Sequence, residues 1–132
     1  FATLERAVSA ALVGRRRRAE LTVRVVGRRE SRALNRRFRG IDKPTNVLSF
    51  PAHGLAAVAP DLLGDIIICA PLVAEEARAR GKTPRAHWHH LVVHGVLHLL
   101  GYDHVDAAAA HTMEDLEREI MAGLGFGDPY LA

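Results

Sequence analysis

The residues with the clearest chemical capacity lie in one run, His94-Gly-Val-Leu-His98-Leu-Leu-Gly101-Tyr-Asp-His104. His94 and His98 are four residues apart. On a helix they share one face, about 6 Å apart along the axis, so both imidazoles reach one cation. Gly101 follows the last apolar helical residues, where a left-handed cap ends a helix. The chain then turns back and delivers His104 as a third ligand. Three histidines and one open position form a zinc pattern that leaves room for a reactive water. A rival triad, His90, His94 and His98, has its outer pair about 12 Å apart along a straight helix, too far to close on one ion. The competing reading, that these histidines only cap and line a buried helix, suits one histidine better than three at this spacing.

The elements that must position this run fit one domain, residues 1–132. A hydrophobic content of 48% with 25% charged residues is that of a soluble globular chain. There is no apolar run of the roughly 18 residues a membrane span needs, and no signal peptide at the start. Cys69, the single cysteine, sits after Ile66, Ile67 and Ile68. It reads as a core residue and fits a reducing cytoplasm. Charge is divided unevenly: residues 1–45 hold 13 Lys/Arg against 4 Asp/Glu, and residues 46–132 hold 5 against 11. The basic half points to a polyanion, with phosphate the natural partner of arginine, or else to a solvated charged face.

Phe1, Leu4, Val8, Ala11 and Leu12 recur at helical spacing and predict a helix over residues 2–13. Gly14 and Arg15 to Arg18 form a basic turn. Leu21-Thr-Val-Arg-Val-Val26 reads as a strand with Leu21, Val23 and Val25 inward. Residues 30–38 read as a short helix, Leu34 and Phe38 inward, Arg32, Arg36 and Arg37 outward, ended by Gly40. Arg39 then borders the turn-rich Asp42-Lys43-Pro44-Thr45-Asn46. Val47 to Phe50 is a second strand stopped by Pro51. Residues 51–64, with Pro51, Gly54, Pro60 and Gly64, read as the longest loop. Asp65 to Cys69 is a strand covered on both faces. Pro71 opens a helix that Gly81 closes, and Thr83-Pro84 opens the helix bearing His94 and His98. That helix is apolar nearly all round from Leu91 to Leu100 and belongs in the middle of the fold. His87, His89 and His90 precede its buried part and read as surface or partner-satisfied residues, and Trp88 reads as packing. Asp106 caps a last helix with Met113, Leu116 and Ile120 inward and Glu114, Asp115, Glu117 and Glu119 facing away or flanking.

The spacing H-x3-H-x5-H resembles the metal run of the metzincin proteases, HExxHxxGxxH. In those enzymes a glutamate after the first histidine acts as general base; here that position is Gly95. Similar metal geometry is expected without the same reaction. A trihistidine metal still lowers the pKa of bound water, and a phosphodiester needs positive charge on its non-bridging oxygens. The pattern therefore favours phosphodiester over peptide cleavage. For RNA, the nucleophile is either its own 2′-hydroxyl or the metal-bound water.

Three stretches together carry a family resemblance: Leu34-Asn-Arg-Arg-Phe-Arg39-Gly-Ile-Asp42-Lys-Pro-Thr-Asn46-Val-Leu-Ser-Phe-Pro51, then Leu63-Gly64-Asp65-Ile66, then the histidine run. With the closing Gly127-Asp-Pro-Tyr130, they make the chain similar to the YbeY family of bacterial rRNA maturation factors, single-strand-specific metal-dependent endoribonucleases. The resemblance implies an α+β fold, a small mixed sheet of about four strands packed with helices around the histidine helix, with a zincin-like metal site. Three strands are clear here, so the family's N-terminal strand is expected to be missing. His94, His98 and His104 are implied as ligands of one Zn2+. Arg39 matches the family's functional arginine and would bind or polarise the phosphate. Arg36, Arg37 and Lys43 beside it are candidate RNA contacts. The implied role is 16S rRNA 3′-end maturation and ribosome quality control in the cytoplasm. Single-stranded small-subunit rRNA is the implied substrate, and small-subunit ribosomal proteins and a ribosome-associated GTPase are the implied partners; neither DNA nor membrane is expected. Two alternatives stay open: a non-catalytic rRNA-binding assembly factor with a structural metal, and a metalloprotease-like hydrolase, which Gly95 disfavours.

Overall fold

The strand β3 (Leu62–Cys69) is the piece on which the rest is assembled. Its run Ile66, Ile68 and Cys69 is wholly buried, as expected for β-branched residues covered on both faces. A computed structural model describes residues 2–52 and 58–131 of the chain. Among the described residues the sheet has three strands in the order β1-β3-β2. β1 (Glu20–Val26) runs parallel to β3 and β2 (Val47–Pro51) antiparallel to it, so the sheet is small and mixed. Five helices complete an α+β fold: α1 (Ala2–Leu12), α2 (Arg28–Arg39), α3 (Ala70–Ala79), α4 (Pro84–Leu99) and α5 (Ala107–Gly123).

β3 starts earlier than the apolar run suggests. Gly64 pairs with Leu21 on one side and Pro51 on the other, so Pro51 closes β2 and the expected 51–64 loop shortens. Gly54, in that loop, lies outside the described residues, as does Phe1. Gly64 has φ 146°, and a Cβ there would lie 2.3 Å from the Phe50 carbonyl and 2.9 Å from a Leu99 methyl. Only glycine lets β2, β3 and the end of α4 meet so closely.

α4 runs through the middle, packed on α1, α3, α5 and the sheet, as its apolar surface predicts. Thr83 accepts the Ala86 N–H at 3.1 Å and Pro84 fills the first turn. Gly95 brings α4 onto β3: a Cβ there would meet Ile66 carbons at 3.0 Å. At the position where the metzincin pattern has its glutamate, this helix faces the sheet at contact distance.

Several inward or outward assignments differ in the structure. Val25 is 38% exposed and Val26 is buried instead. β1 is an edge strand, and Leu21 and Val23 pack against the core whereas Val25 does not. Phe38 is 54% exposed, and the inner face of α2 is formed by buried Ser31 and Asn35, with Leu34 half-buried. These polar residues hold the next loop rather than an apolar core. The Asn35 amide donates to the Lys43 carbonyl, and the Ser31 hydroxyl both donates to the Thr45 carbonyl and accepts the Thr45 N–H. Of the two readings of His87, His89 and His90, surface or partner-satisfied, the second holds: all three are buried and have polar partners, Glu76, the Arg85 carbonyl and Glu117 respectively. The expected loop became strand at Leu62–Gly64, as above. Finally, Glu117 is fully buried beside Met113, Ile120 and Met121, while its acidic neighbours stay at or near the surface.

Candidate metal centre

α4 ends as its sequence requires. Gly101 has φ 103°, its N–H bonds to the His98 carbonyl at 3.0 Å, and the Tyr102 N–H bonds to the Leu97 carbonyl at 3.0 Å. This is the paired closure that a glycine in the left-handed region makes possible. The chain reverses there and brings His104 back over the helix end. The ring centroids of His94 and His98 are 4.6 Å apart, those of His98 and His104 5.1 Å, and those of His94 and His104 6.0 Å. One ring nitrogen from each histidine lies within 4.8 Å of the other two, a spacing from which three imidazoles can share one metal ion.

The chemistry of the donors fits a metal as well as their spacing does. An imidazole must be neutral to coordinate. Burial first, then the neighbouring His94 and His104, pull the His98 pKa down to about 4; Arg39 adds to the fall and Asp103 opposes it. His98 therefore presents a lone pair at neutral pH.

Behind the three histidines stands Glu117. Its Oε1 accepts from His90 Nε2 at 2.7 Å and from His94 Nδ1 at 2.9 Å, and its Oε2 accepts the Tyr130 hydroxyl at 2.7 Å. Burial alone would raise this carboxyl, but the hydrogen bonds from His90 and His94, aided by Tyr130, outweigh it and hold the pKa at about 2. The anion fixes the proton of His94 on Nδ1, so Nε2 is the nitrogen left for a metal, the carboxylate–histidine arrangement that orients and strengthens a ligand. His90, His94 and Glu117 also satisfy the spacing of a metal group. Their facing atoms are already joined by hydrogen bonds, so this trio is a bracing cluster and not a cation site. Tyr130 is in turn held by the tail: Asp128 accepts from Arg118 Nε at 3.1 Å and from the Tyr130 N–H at 2.8 Å. Burial and the Glu117 anion push the Tyr130 hydroxyl well above its ordinary pKa, so it remains a donor.

The basic side of the site is the end of α2. Gly40, with φ 71°, terminates the helix just after Arg39. The following loop is clamped by Arg32, whose Nε and Nη2 meet the two Asp42 oxygens at 2.8 and 3.1 Å. The charge of Arg39 is among those that depress His98. Arg36, Arg37, Arg39 and Lys43 have no ion-pair partner among the described residues, whereas Arg28 and Arg32 are paired with Glu75 and Asp42. A cleft beside the cluster is lined by His94, His104, Met113, Glu114, Glu117 and Tyr130. The spacing rule assembled the three histidines. It did not reveal Glu117, whose one local hint is its place on the Met113–Glu117–Ile120 stripe.

An α+β fold that closes a central helix with three converging histidines has the donor set of a metal-dependent enzyme. The chain belongs to the YbeY endoribonuclease family: the family model described as Endoribonuclease YbeY matches residues 2–125. Curated relatives of that name agree. The one from Halorhodospira halophila is 60% identical over 117 residues, spanning 86% of this chain and 76% of the relative. One from Stenotrophomonas maltophilia is 57% identical over 132 residues, spanning 97% and 82%. The solution structure of TM1509 from Thermotoga maritima superposes with a TM-score of 0.55 at 28% identity, covering 99% of this chain and 88% of that one.

Proposed function

We propose that this protein is a zinc-dependent, single-strand-specific endoribonuclease that matures the 3′ end of 16S rRNA and takes part in ribosome quality control in the cytoplasm. The observation that carries the reading is the convergence of His94, His98 and His104, with nitrogens within 4.8 Å of one another, in a chain of the YbeY family. Bound there, a zinc ion would supply Lewis acidity toward the phosphate and the attacking oxygen. The chain's own residues supply the rest. His98 stays neutral and available. Glu117 holds the Nδ1 proton of His94 and so the orientation of its ring. Arg39 sets a fixed positive charge against the non-bridging phosphate oxygens, where negative charge grows in the transition state. Arg36, Arg37 and Lys43 hold the flanking backbone electrostatically. Peptide hydrolysis is disfavoured, because a side chain at Gly95 would run into Ile66 at 3.0 Å.

The ribosomal side of the proposal is small-subunit rRNA as substrate, with small-subunit proteins and a ribosome-associated GTPase as partners. No helix among the described residues is long and apolar enough to cross a membrane. The decisive experiment is cleavage of an end-labelled single-stranded RNA by zinc-loaded wild type and by His98→Ala, with metal content measured on both. Cutting by wild type only, with metal lost from the variant by more than about a hundredfold in affinity, is expected, since even outer-sphere changes cost ten- to a hundredfold. Equal cutting by both, or full metal occupancy in the variant, removes the histidine centre from the activity. RNA binding without cutting by either protein supports the assembly-factor alternative.

A further inference from the structure

The exposed ring of Phe38 is the feature that the phosphate chemistry leaves unused. A phenylalanine 54% exposed forgoes most of the burial that ordinarily places this residue inside a protein. Its ring is nevertheless fixed in place. Phe50 packs edge-on against it, with centroids 5.1 Å apart and planes at 69°, and the Arg37 guanidinium sits 5.2 Å from its centroid. Ile41, 46% exposed, lies three residues further on. The site adjoins the histidine helix through β2. Phe50, which packs on Phe38, follows Ser49, and β2 lies against α4. The Ser49 hydroxyl donates to the carbonyl of Gly95, the residue after His94, at 3.4 Å.

We infer that Phe38, backed by Phe50, is a stacking platform for one unpaired nucleobase of the RNA, the base of a nucleotide flanking the phosphate held by Arg39. This rests on the ribonuclease reading above and names the part of the substrate that reading leaves open. The local charge selects this occupant over a protein surface: Arg37 lies over the ring, and its sequence neighbours Arg36 and Arg39, with Lys43, have like Arg37 no ion-pair partner among the described residues, a set of cations that suits a phosphate chain. A phenyl ring carries no hydrogen-bonding group, so it accepts any base by its π-face. In a duplex that face is covered by the neighbouring base pair. Stacking here therefore selects for single strands without selecting a sequence, and Arg37 can reinforce it from its place over the ring.

The test uses the zinc-loaded protein and a single-stranded RNA with one cut site, with kcat and KM measured for wild type, Phe38→Leu and Phe38→Trp. The same RNA is then prepared with an abasic nucleotide walked through the positions flanking the cut. Phe38→Leu keeps apolar bulk and removes the π-face, and is expected to raise KM about tenfold with little change in kcat. Phe38→Trp is expected to restore wild-type KM, which a structural role would not predict. At one position the abasic nucleotide is expected to raise the wild-type KM by a similar factor and to add nothing in Phe38→Leu. Unchanged KM in Phe38→Leu alongside an active wild type overturns the platform and leaves the ribonuclease reading standing. Abasic and leucine effects that multiply at every position overturn it too. Normal RNA kinetics in Phe38→Leu with lost binding to ribosomal particles assigns the ring to a protein contact instead. An inactive zinc-loaded wild type strikes at the ribonuclease reading itself.

Discussion

The two sides of the histidine centre are built on opposite terms. On the α5 side the polar groups are interior: Glu117 is fully buried and holds His90, His94 and Tyr130 by hydrogen bonds of 2.7 to 2.9 Å. On the α2 side Arg36, Arg37, Phe38 and Arg39 stand in solvent, and only the loop beneath them is clamped. A buried polar cluster is stable only when every member is satisfied, which makes it rigid. An exposed cationic lip can wait for a polyanion without a matching partner inside the protein. In the proposed reading the interior side would fix where a metal sits, and the exposed side would meet what that metal acts on.

That division predicts opposite failures. The largest effect is expected from Arg39→Ala, the charge of the lip that the proposed function sets against the reacting phosphate. Its kcat on single-stranded RNA should fall about a hundred- to a thousandfold, the usual cost of losing a fixed donor from the transition state. Metal content and melting temperature should match wild type, and added zinc should restore nothing. Retained turnover in this variant would remove Arg39 from the reaction.

Glu117→Gln should fail in the other way. A neutral amide oxygen can still accept from His90 and His94 but without the anion's charge, and its NH2 stands where the second oxygen accepted the Tyr130 hydroxyl, so the proton position of His94 is held less firmly. Metal affinity is expected to fall about ten- to a hundredfold, with a stability cost of about 1–3 kcal/mol for a buried network left partly unpaired. Activity should return when zinc is raised to saturation. A competition titration with a chromogenic chelator, read beside activity against zinc concentration, checks both points. If Glu117→Gln binds zinc as wild type does, the buried anion only braces the fold and the contrast between the two sides loses its functional meaning.

How much of this could be read from the chain depended on whether the signal was local. His94, His98 and Gly101 are fixed by helix spacing and a cap, so the clustering of the histidines could be placed before any contact was known. The N-caps at Thr83 and Asp106 are equally local, and both make the expected backbone bonds. Glu117 carries no local sign of its burial, because its partners lie 27 and 23 residues before it and 13 after it. It reads like Glu114 and Asp115 until those partners are in place. Phe38 misled in the opposite direction. Its apolar side chain suggests an inward face, but α2 turns Ser31 and Asn35 inward to hold the Lys43–Thr45 backbone, and the ring is carried outward. Val25 fails for a third reason: alternation says which face of a strand a residue takes, not whether a helix reaches far enough along an edge strand to cover it.

The smallest expected effect asks whether the buried polar network continues beyond Glu117 toward α3. There Glu76 accepts from Asn46 Nδ2 at 3.0 Å and meets His87 Nε2 at 2.9 Å, and His87 is only 2% exposed. Burial is the leading influence on His87 and lowers its pKa; the Glu76 hydrogen bond and charge oppose it, while His90 and Arg80 reinforce the fall. In the unfolded chain this histidine takes up a proton near its ordinary value of 6.5, whereas in the folded protein it resists until the pH is lower. Below about pH 6.5 the unfolded state therefore binds more protons, and stability must fall as the solution is acidified through that window toward the folded pKa. Melting temperatures of the chelator-treated protein from pH 7.5 to 5.5 should decline, and those of His87→Gln should decline less steeply over the same range. The slope is the diagnostic, since the substitution also lowers the overall level by disturbing a buried contact. Parallel slopes would mean that Glu76 stabilises a protonated His87 as strongly as burial opposes it, and that this end of α4 is an ion pair rather than part of a neutral histidine interior.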